Sequence, residues 1–220
     1  MRSVLDPTIP LDVGAISQRQ RIVDAMIESC AEKTYSGTTI SDIVSRASIS
    51  RTTFYKRFAD KRECFDAALE YSIEALRATA AASHLPSDSP PEAVRKAATA
   101  ILGLMAERPA LAHLVMGEAV SVEPSVTGRY RRILIPALEH LWDSAEEPRH
   151  SHSDPRLAFG RAQVLIFDQI AAGRTGDLPS LLPEIVYIAL LPFAGHDEAV
   201  RQARLASGEA ADGSPGSGDR

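Results

Sequence analysis

From Ser17 the chain repeats its apolar residues at helical intervals. Ile22, Val23, Met26, Ile27 and Cys30 recur three and four apart, with Gln, Arg, Asp and Glu between them. The spacing predicts a helix capped by Ser17 that fades near Thr34–Gly37. A second start follows at once: Thr39 precedes Ile40, Ile43, Val44 and Ala47, the apolar positions of a two-turn helix. Ser48, Ile49 and Ser50 interrupt it, and "RTTFYKRF" resumes a helix with Ser50 as its cap. Asp60 then caps a longer helix through "KRECFDAALEYSIEALRATAAA".

The rest of the chain carries the same periodicity, divided by prolines. "SHLPSDSPP" (83–91) reads as a loop. "PEAVRKAATAILGLMAER" reads as a helix with Pro91 or Glu92 in its first turn, stopped by Pro109. "ALAHLVMGEAV" is short, and "PSVTGRYRRILIPALEHLWDSA" is long, with a kink expected at Pro136. After the polar loop "EEPRHSHSDP" (146–155), residues 156–173 and 179–194 form a closing pair of strongly apolar helices. Residues 1–16, with two prolines and a glycine, read as an irregular arm, and 206–220 as a disordered tail by composition. Period-2 strands and internal repeats are absent from the pattern. The expected fold class is all-α, in roughly nine helices. Residues 17–62 form a small head, and 63–205 a larger helical body.

Composition supports this reading. Apolar residues make up 45% of the chain and aromatics 5%, a balance suited to an Ala- and Leu-rich helical core. The longest apolar run, Ile185 to Ala194, contains a proline and is too short for a membrane span. The first residues carry no basic-then-apolar pattern of a secretory signal. Cys30 and Cys64, both in helical text, suggest a reducing compartment, so a soluble cytoplasmic protein is expected. The net charge is −5, unevenly spread: residues 17–69 sum to +2 and 70–220 to −6. Six cations fall between Arg46 and Arg62, against Asp60 alone as an acid. An acidic chain that gathers its cations on one short stretch is compatible with nucleic-acid binding through that stretch.

Two short helices separated by a three-residue turn form the pattern of a helix-turn-helix. At about 100° per residue, Phe54 and Phe58 point the same way and anchor the second helix on Ile43, Val44 and the first helix of the chain. Thr52, Thr53 and Lys56 then face outward, with Arg51 and Tyr55 on the flank. A small polar first turn lets such a helix enter the major groove. Arg51 reaches guanine O6 and N7, and the Thr52 and Thr53 methyls meet thymine methyls. Tyr55, Lys56 and Arg57 suit phosphate oxygens. Ser50 caps the helix at the groove, while Thr39 and Lys61 clamp the DNA backbone on either side.

The segment "TTISDIVSRASISRTTFYKRFADKRECFDAAL" resembles the DNA-binding region of the TetR family of bacterial one-component regulators. Thr39, Ala47, Thr53-Phe54-Tyr55, Phe58 and Lys61 occupy that family's places, and "RIVDAMIESCAEKTY" resembles its first helix. The likeness covers residues 19–69. Cys30 departs from a usual large aromatic, Thr34 from a common helix-ending glycine, and Ser48 from a usual turn glycine, so Ser48 is expected in a left-handed conformation. The resemblance implies a homodimer on a palindromic double-stranded operator, paired through the last two helices. It also implies a small-molecule pocket among the middle helices, with ligand entry moving the helix at 61–82 to release a repressor. Leu165, Ile166, Ile170, Leu182, Ile185 and Ile188 supply more apolar surface than one core face needs and are the expected dimer contacts.

Met105, His113, Met116, Tyr130, Leu134, Trp142 and Phe167 are the nominated pocket residues. Met and aromatic side chains suit an adaptable cavity, and each serves equally as plain core. His150 and His152 lack a Cys partner and read as a solvated loop, so no metal is expected. Cys30 and Cys64 read as inert buried thiols rather than a redox pair. No phosphate loop, metal-spaced cluster or nucleophile set can be placed, so neither catalysis nor a cofactor is expected. The alternative from another class is a ligand-binding or protein-interaction dimer whose helix-turn-helix lacks operator specificity.

Overall fold

A computed structural model gives the arrangement of residues 18–118 and 154–208. Among these residues there are eight α-helices and no strand, in keeping with the all-α expectation. They are α1 (Gln18–Gly37), α2 (Ile40–Arg46), α3 (Arg51–Tyr55), α4 (Lys61–Ala82), α5 (Pro90–Glu107), α6 (Pro109–His113), α7 (Pro155–Ala171) and α8 (Leu182–Ala206). A π-helical turn, Leu114–Glu118, continues α6, and a 3-10 segment, Thr175–Leu181, leads into α8. The expected arm, the long helix with its Pro136 kink, the 150–152 histidines and the tail beyond Gly208 lie outside the described residues.

The helix starts fall where the capping signals placed them. Thr39 and Asp42 form a reciprocal capping box at α2, Ser50 Oγ accepts from Thr53 N at 3.0 Å, and Asp60 Oδ1 accepts from Glu63 N at 2.8 Å. Ser89 and Glu92 cap α5, which carries Pro90 and Pro91 in its first turn. Ser17, the expected cap of α1, lies outside the described residues.

One contiguous core joins head and body. Ile22, Met26, Ile43, Phe54, Phe58, Phe65 and Leu69 belong to the same buried cluster as Leu102, Met105, Leu111, Met116, Ile166 and Ile170. The boundary expected at residue 62 therefore falls inside continuous packing, with α4 running across it. A second cluster joins Val94 of α5 to Val186, Leu190, Phe193 and Ala199 of α8.

Two expectations about the last helix are corrected. It does not stop near residue 194: Gly195, at φ 77° and ψ −177°, bends it, and the chain continues helically to Ala206. Glycine tolerates that conformation without a Cβ clash. The continuous helical stretch Thr175–Ala206 also contains an 18-residue window of mean hydropathy 1.5, which by length and composition alone is enough to cross a bilayer. The uninterrupted run judged from sequence was shorter because prolines and Gly195 divide it. Here Ile185, Val186, Leu190 and Phe193 are buried against neighbouring helices.

Candidate nucleic-acid interface

The α2–turn–α3 unit is fixed from below by aromatics. Phe54 and Phe58 are both buried, with ring centroids 5.8 Å apart. Arg19 of α1 places its guanidinium 5.1 Å from the Phe58 ring centre. The turn closes through Ala47 N to Ile43 O at 2.9 Å and Ile49 N to Val44 O at 3.0 Å. Ser48 adopts φ 52°, the left-handed conformation expected of it. With its core face pinned, α3 has one orientation available.

The outward face is the one expected. Arg51, Thr52, Tyr55, Lys56 and Arg57 are exposed and Thr53 is half-buried. Tyr55 is 54% exposed, an unusual position for a large aromatic unless something docks there. Ser50 Oγ and Thr53 Oγ1 lie 2.9 Å apart, so the first turn of α3 presents short hydroxyls rather than bulk. Arg51 Nη2 donates to Ser41 Oγ at 2.6 Å. That bond holds the guanidinium over the α2–α3 face while leaving most of its donors free.

The six clustered cations prove to be of three kinds. Arg46 is ion-paired to Glu32 of α1, and Arg62 to Asp66 at 3.1 Å. Lys56 and Arg57 are exposed and make no ion pair among the described residues. With Arg51 they form the available positive surface. Sequence order does not separate these groups, because Glu32 lies fourteen residues from Arg46 and only the fold brings the two together.

Lys61, expected at the DNA backbone, is held here against the end of α1. It is half-buried, with Nζ donating to Tyr35 O at 2.8 Å and Thr38 O at 2.9 Å. The ammonium also sits 4.2 Å from the Tyr35 ring centre. Two of its three N–H groups therefore satisfy carbonyls at the end of α1 instead of pointing at solvent. Thr39 is exposed, but its hydroxyl donates to Asp42 Oδ2 at 2.7 Å and accepts from Asp42 N. The Lys33 hydrogen bond, followed by those from the Thr39 hydroxyl and amide, holds the Asp42 carboxyl well below the usual carboxylate range.

The nominated pocket residues divide. Met105 and Met116 are buried in the shared core, and His113 is half-buried. Phe167 does not join them: it is 44% exposed on α7. Tyr130, Leu134 and Trp142 lie outside the described residues. A shallow cleft of about 290 Å³ lies between α1 and α2, lined by Ser29, Glu32, Lys33, Asp42, Ser45 and Arg46, and none of the nominated residues reaches it.

The expected dimer contacts are also redistributed. Ile166, Ile170 and Ile185 are buried within the subunit's own core, and Leu165, Leu182 and Ile188 are half-buried. The apolar residues that α7 leaves uncovered are Leu157 (72% exposed), Val164 (58%) and Phe167. A helix that is apolar on most of its circumference does not announce which stripe faces inward. That ambiguity left Ile166, Ile170 and Ile185, which pack inside the subunit, among the expected contacts.

Cys30 and Cys64 are free and buried. Burial pushes the Cys30 thiol up to about 11 and the Cys64 thiol up to about 12. The Cys30 thiol contacts Met26 Sδ at 3.5 Å. Such thiols remain protonated and unreactive at neutral pH.

The head is a helix-turn-helix unit stacked on a helical body. Residues 22–68 match the family described as bacterial regulatory proteins, tetR family. The fold agrees along most of the chain. It is similar to the fatty acid degradation regulator FadR from Bacillus halodurans, with TM-score 0.68, 16% identity, and coverage of 83% of this chain and 98% of that one. It is also similar to FadR from Bacillus subtilis in complex with stearoyl-CoA (TM-score 0.61, 21% identity, 80% and 97% coverage). A gamma-butyrolactone receptor, an ArpA-like protein, matches with TM-score 0.59, 19% identity, and 87% and 97% coverage. No curated protein matches the sequence. The match to the tetR-family description is confined to residues 22–68, and beyond them the likeness is one of fold.

Proposed function

We propose that the protein is a repressor that binds a palindromic operator as a homodimer and leaves it when a small molecule enters the body. The observation that carries this reading is the division of α3. Phe54 and Phe58 are buried below, while Arg51, Thr52, Lys56 and Arg57 are exposed above. A helix anchored by aromatics and fronted by small hydroxyls and unpaired cations suits entry into a major groove. Arg51 then reads base edges, and Tyr55, Lys56 and Arg57 meet phosphates. Thr39 and Ser50 hold the two helix starts, and Lys61 supports the site from beneath.

The uncovered Leu157, Val164 and Phe167 of α7 support a subunit contact, since large apolar side chains on one helix face are commonly buried by a partner. Two copies related by a two-fold axis would present two α3 helices, and half-sites about 34–36 Å apart would match one DNA turn. The buried side chains around the body's centre, Leu102, Met105, Leu111 and Met116, are apolar, which favours an effector with a substantial apolar portion. The stearoyl-CoA bound to one structural neighbour is of that chemical kind. Two protonated, unbridged thiols fit a cytoplasmic setting.

The test is selection from a random-sequence duplex library by the purified protein. The reading expects an enriched inverted repeat bound by two chains. Enrichment of no sequence over the starting library would overturn it and leave the head as a general electrostatic surface.

A further inference from the structure

The end of α1 contains a backbone fault that residues from two other elements hold in place. Thr34 sits at φ 63° and ψ 165°, a region that glycine visits and threonine avoids. A non-helical residue at this point turns the next amide away from the helix's own carbonyls, and a buried or half-buried N–H must find another acceptor. The Tyr35 N–H donates to Glu118 Oε2 at 2.6 Å. Its carbonyl accepts from Lys61 Nζ at 2.8 Å, and its ring packs on Phe65 of α4 with centroids 4.7 Å apart. One residue thus meets a body carboxylate on its amide side and the start of α4 on its carbonyl side.

Glu118 is the last residue of the π-turn Leu114–Glu118, far outside the head in sequence. The π-turn is itself anchored in the shared core by Leu114, Val115 and Met116, all buried. It packs against α1, α4 and α7. π-Turns carry one residue more per turn than the helix they continue, and they occur often at functional positions. Any shift of this turn moves Glu118 relative to Tyr35, and Tyr35 is tied through Lys61 to α4, the helix that directly follows α3.

We propose that Glu118 is a positioning residue for DNA binding: its carboxylate fixes the head on the body by holding the Tyr35 amide, and the π-turn is where the body sets the head's angle. The proposal rests on the reading of the head as the DNA-contacting part, and concerns what sets its orientation. A strained residue persists where its surroundings over-determine it. Here the determinants come from the body as well as from the head.

The test measures the head–body distance directly. Spin labels at Ser45→Cys on α2 and Thr99→Cys on α5, both exposed positions, are read in chains diluted with unlabelled protein. The buried Cys30 and Cys64 remain in place. The parent is expected to give one narrow distance, Glu118→Ala a broadened one, and Glu118→Gln, which keeps an acceptor oxygen, a distribution close to the parent's. Glu118→Asp withdraws the carboxylate by one methylene while keeping its charge. It is expected to broaden the distribution also, and serves where the alanine variant does not fold. Affinity for the selected duplex should fall about tenfold in Glu118→Ala, within the usual range of coupling between sites. An unchanged distance distribution in both Glu118→Ala and Glu118→Asp would overturn the proposal, as would a broadened one with undiminished affinity. A parent protein that selects no duplex defeats the operator reading by a separate measurement.

Discussion

Lys61 lies 4.2 Å from the centre of the Tyr35 ring and donates to the Tyr35 carbonyl at 2.8 Å. The cation that sequence order assigned to a DNA phosphate thus closes the end of α1. Hydrogen bonds from charged groups to carbonyls contribute about 1.5–3 kcal/mol each where they are shielded, and this ammonium is half-buried. Lys61→Met is therefore expected to lower stability by about 2 kcal/mol in urea unfolding. It should leave the slope of log binding constant against log salt nearly unchanged. A slope reduced by about one phosphate contact, at parental stability, would restore the phosphate role.

Among the described residues, two non-glycine residues stand at positive φ, Thr34 at 63° and Ser48 at 52°. A Cβ in that region costs roughly 1–2 kcal/mol, offset in part by glycine's larger loss of freedom on folding. Thr34→Gly and Ser48→Gly are each expected to stabilise the protein by about 1 kcal/mol, raising the urea midpoint without changing the m-value. Alanine at either site should bring no such gain, because its Cβ retains the clash.

How much of this was legible in the sequence differs between head and body. Thr39, Ser50 and Asp60 marked three helix starts because a short polar side chain followed by apolar periodicity is a local signal, and the caps that result are local as well. Ser48's left-handed turn was legible for the same reason. The Lys61 and Arg46 roles were not, since Tyr35 and Glu32 reach them only through the fold. In α7 the period was clear but the buried stripe was not: Ile166 and Phe167 are neighbours in sequence, and packing alone decides that one enters the core and the other faces out. The Glu118–Tyr35 contact joins residues 83 positions apart, and no periodicity carries that information.

The thiols give a pH signature. Burial raises Cys30 and Cys64 from the usual 9.0 to about 11 and about 12. The unfolded chain therefore loses its thiol protons first as pH rises. Stability is fully present below pH 9 and falls as pH climbs from there toward 11 and 12. Neither thiol should react with an aromatic disulfide reagent at pH 8 in the folded protein, and both should react in denaturant. Fast labelling of either in native buffer would contradict their burial.

The uncovered face of α7 makes a prediction about assembly. Phe167→Glu should shift the protein from dimer to monomer in sedimentation while leaving helical content intact, with a loss of at least about 2 kcal/mol of association energy for a central apolar anchor. Ile166→Glu places a charge in the subunit core and should unfold it instead. A Phe167→Glu protein that remains fully dimeric would place the subunit contact elsewhere.

The measurement closest to the central claim is fluorescence anisotropy of the protein on its selected duplex, with random duplex as competitor, across a salt series. The account predicts binding far tighter than to random DNA that weakens steeply with salt. Arg51→Ala should lose the preference for one base position at a cost of about 1–3 kcal/mol, and Lys56→Ala should weaken all duplexes alike and reduce the salt slope by about one. Equal affinity for selected and random duplex, unaltered by either substitution, would contradict the assignment of α3 as the reading surface.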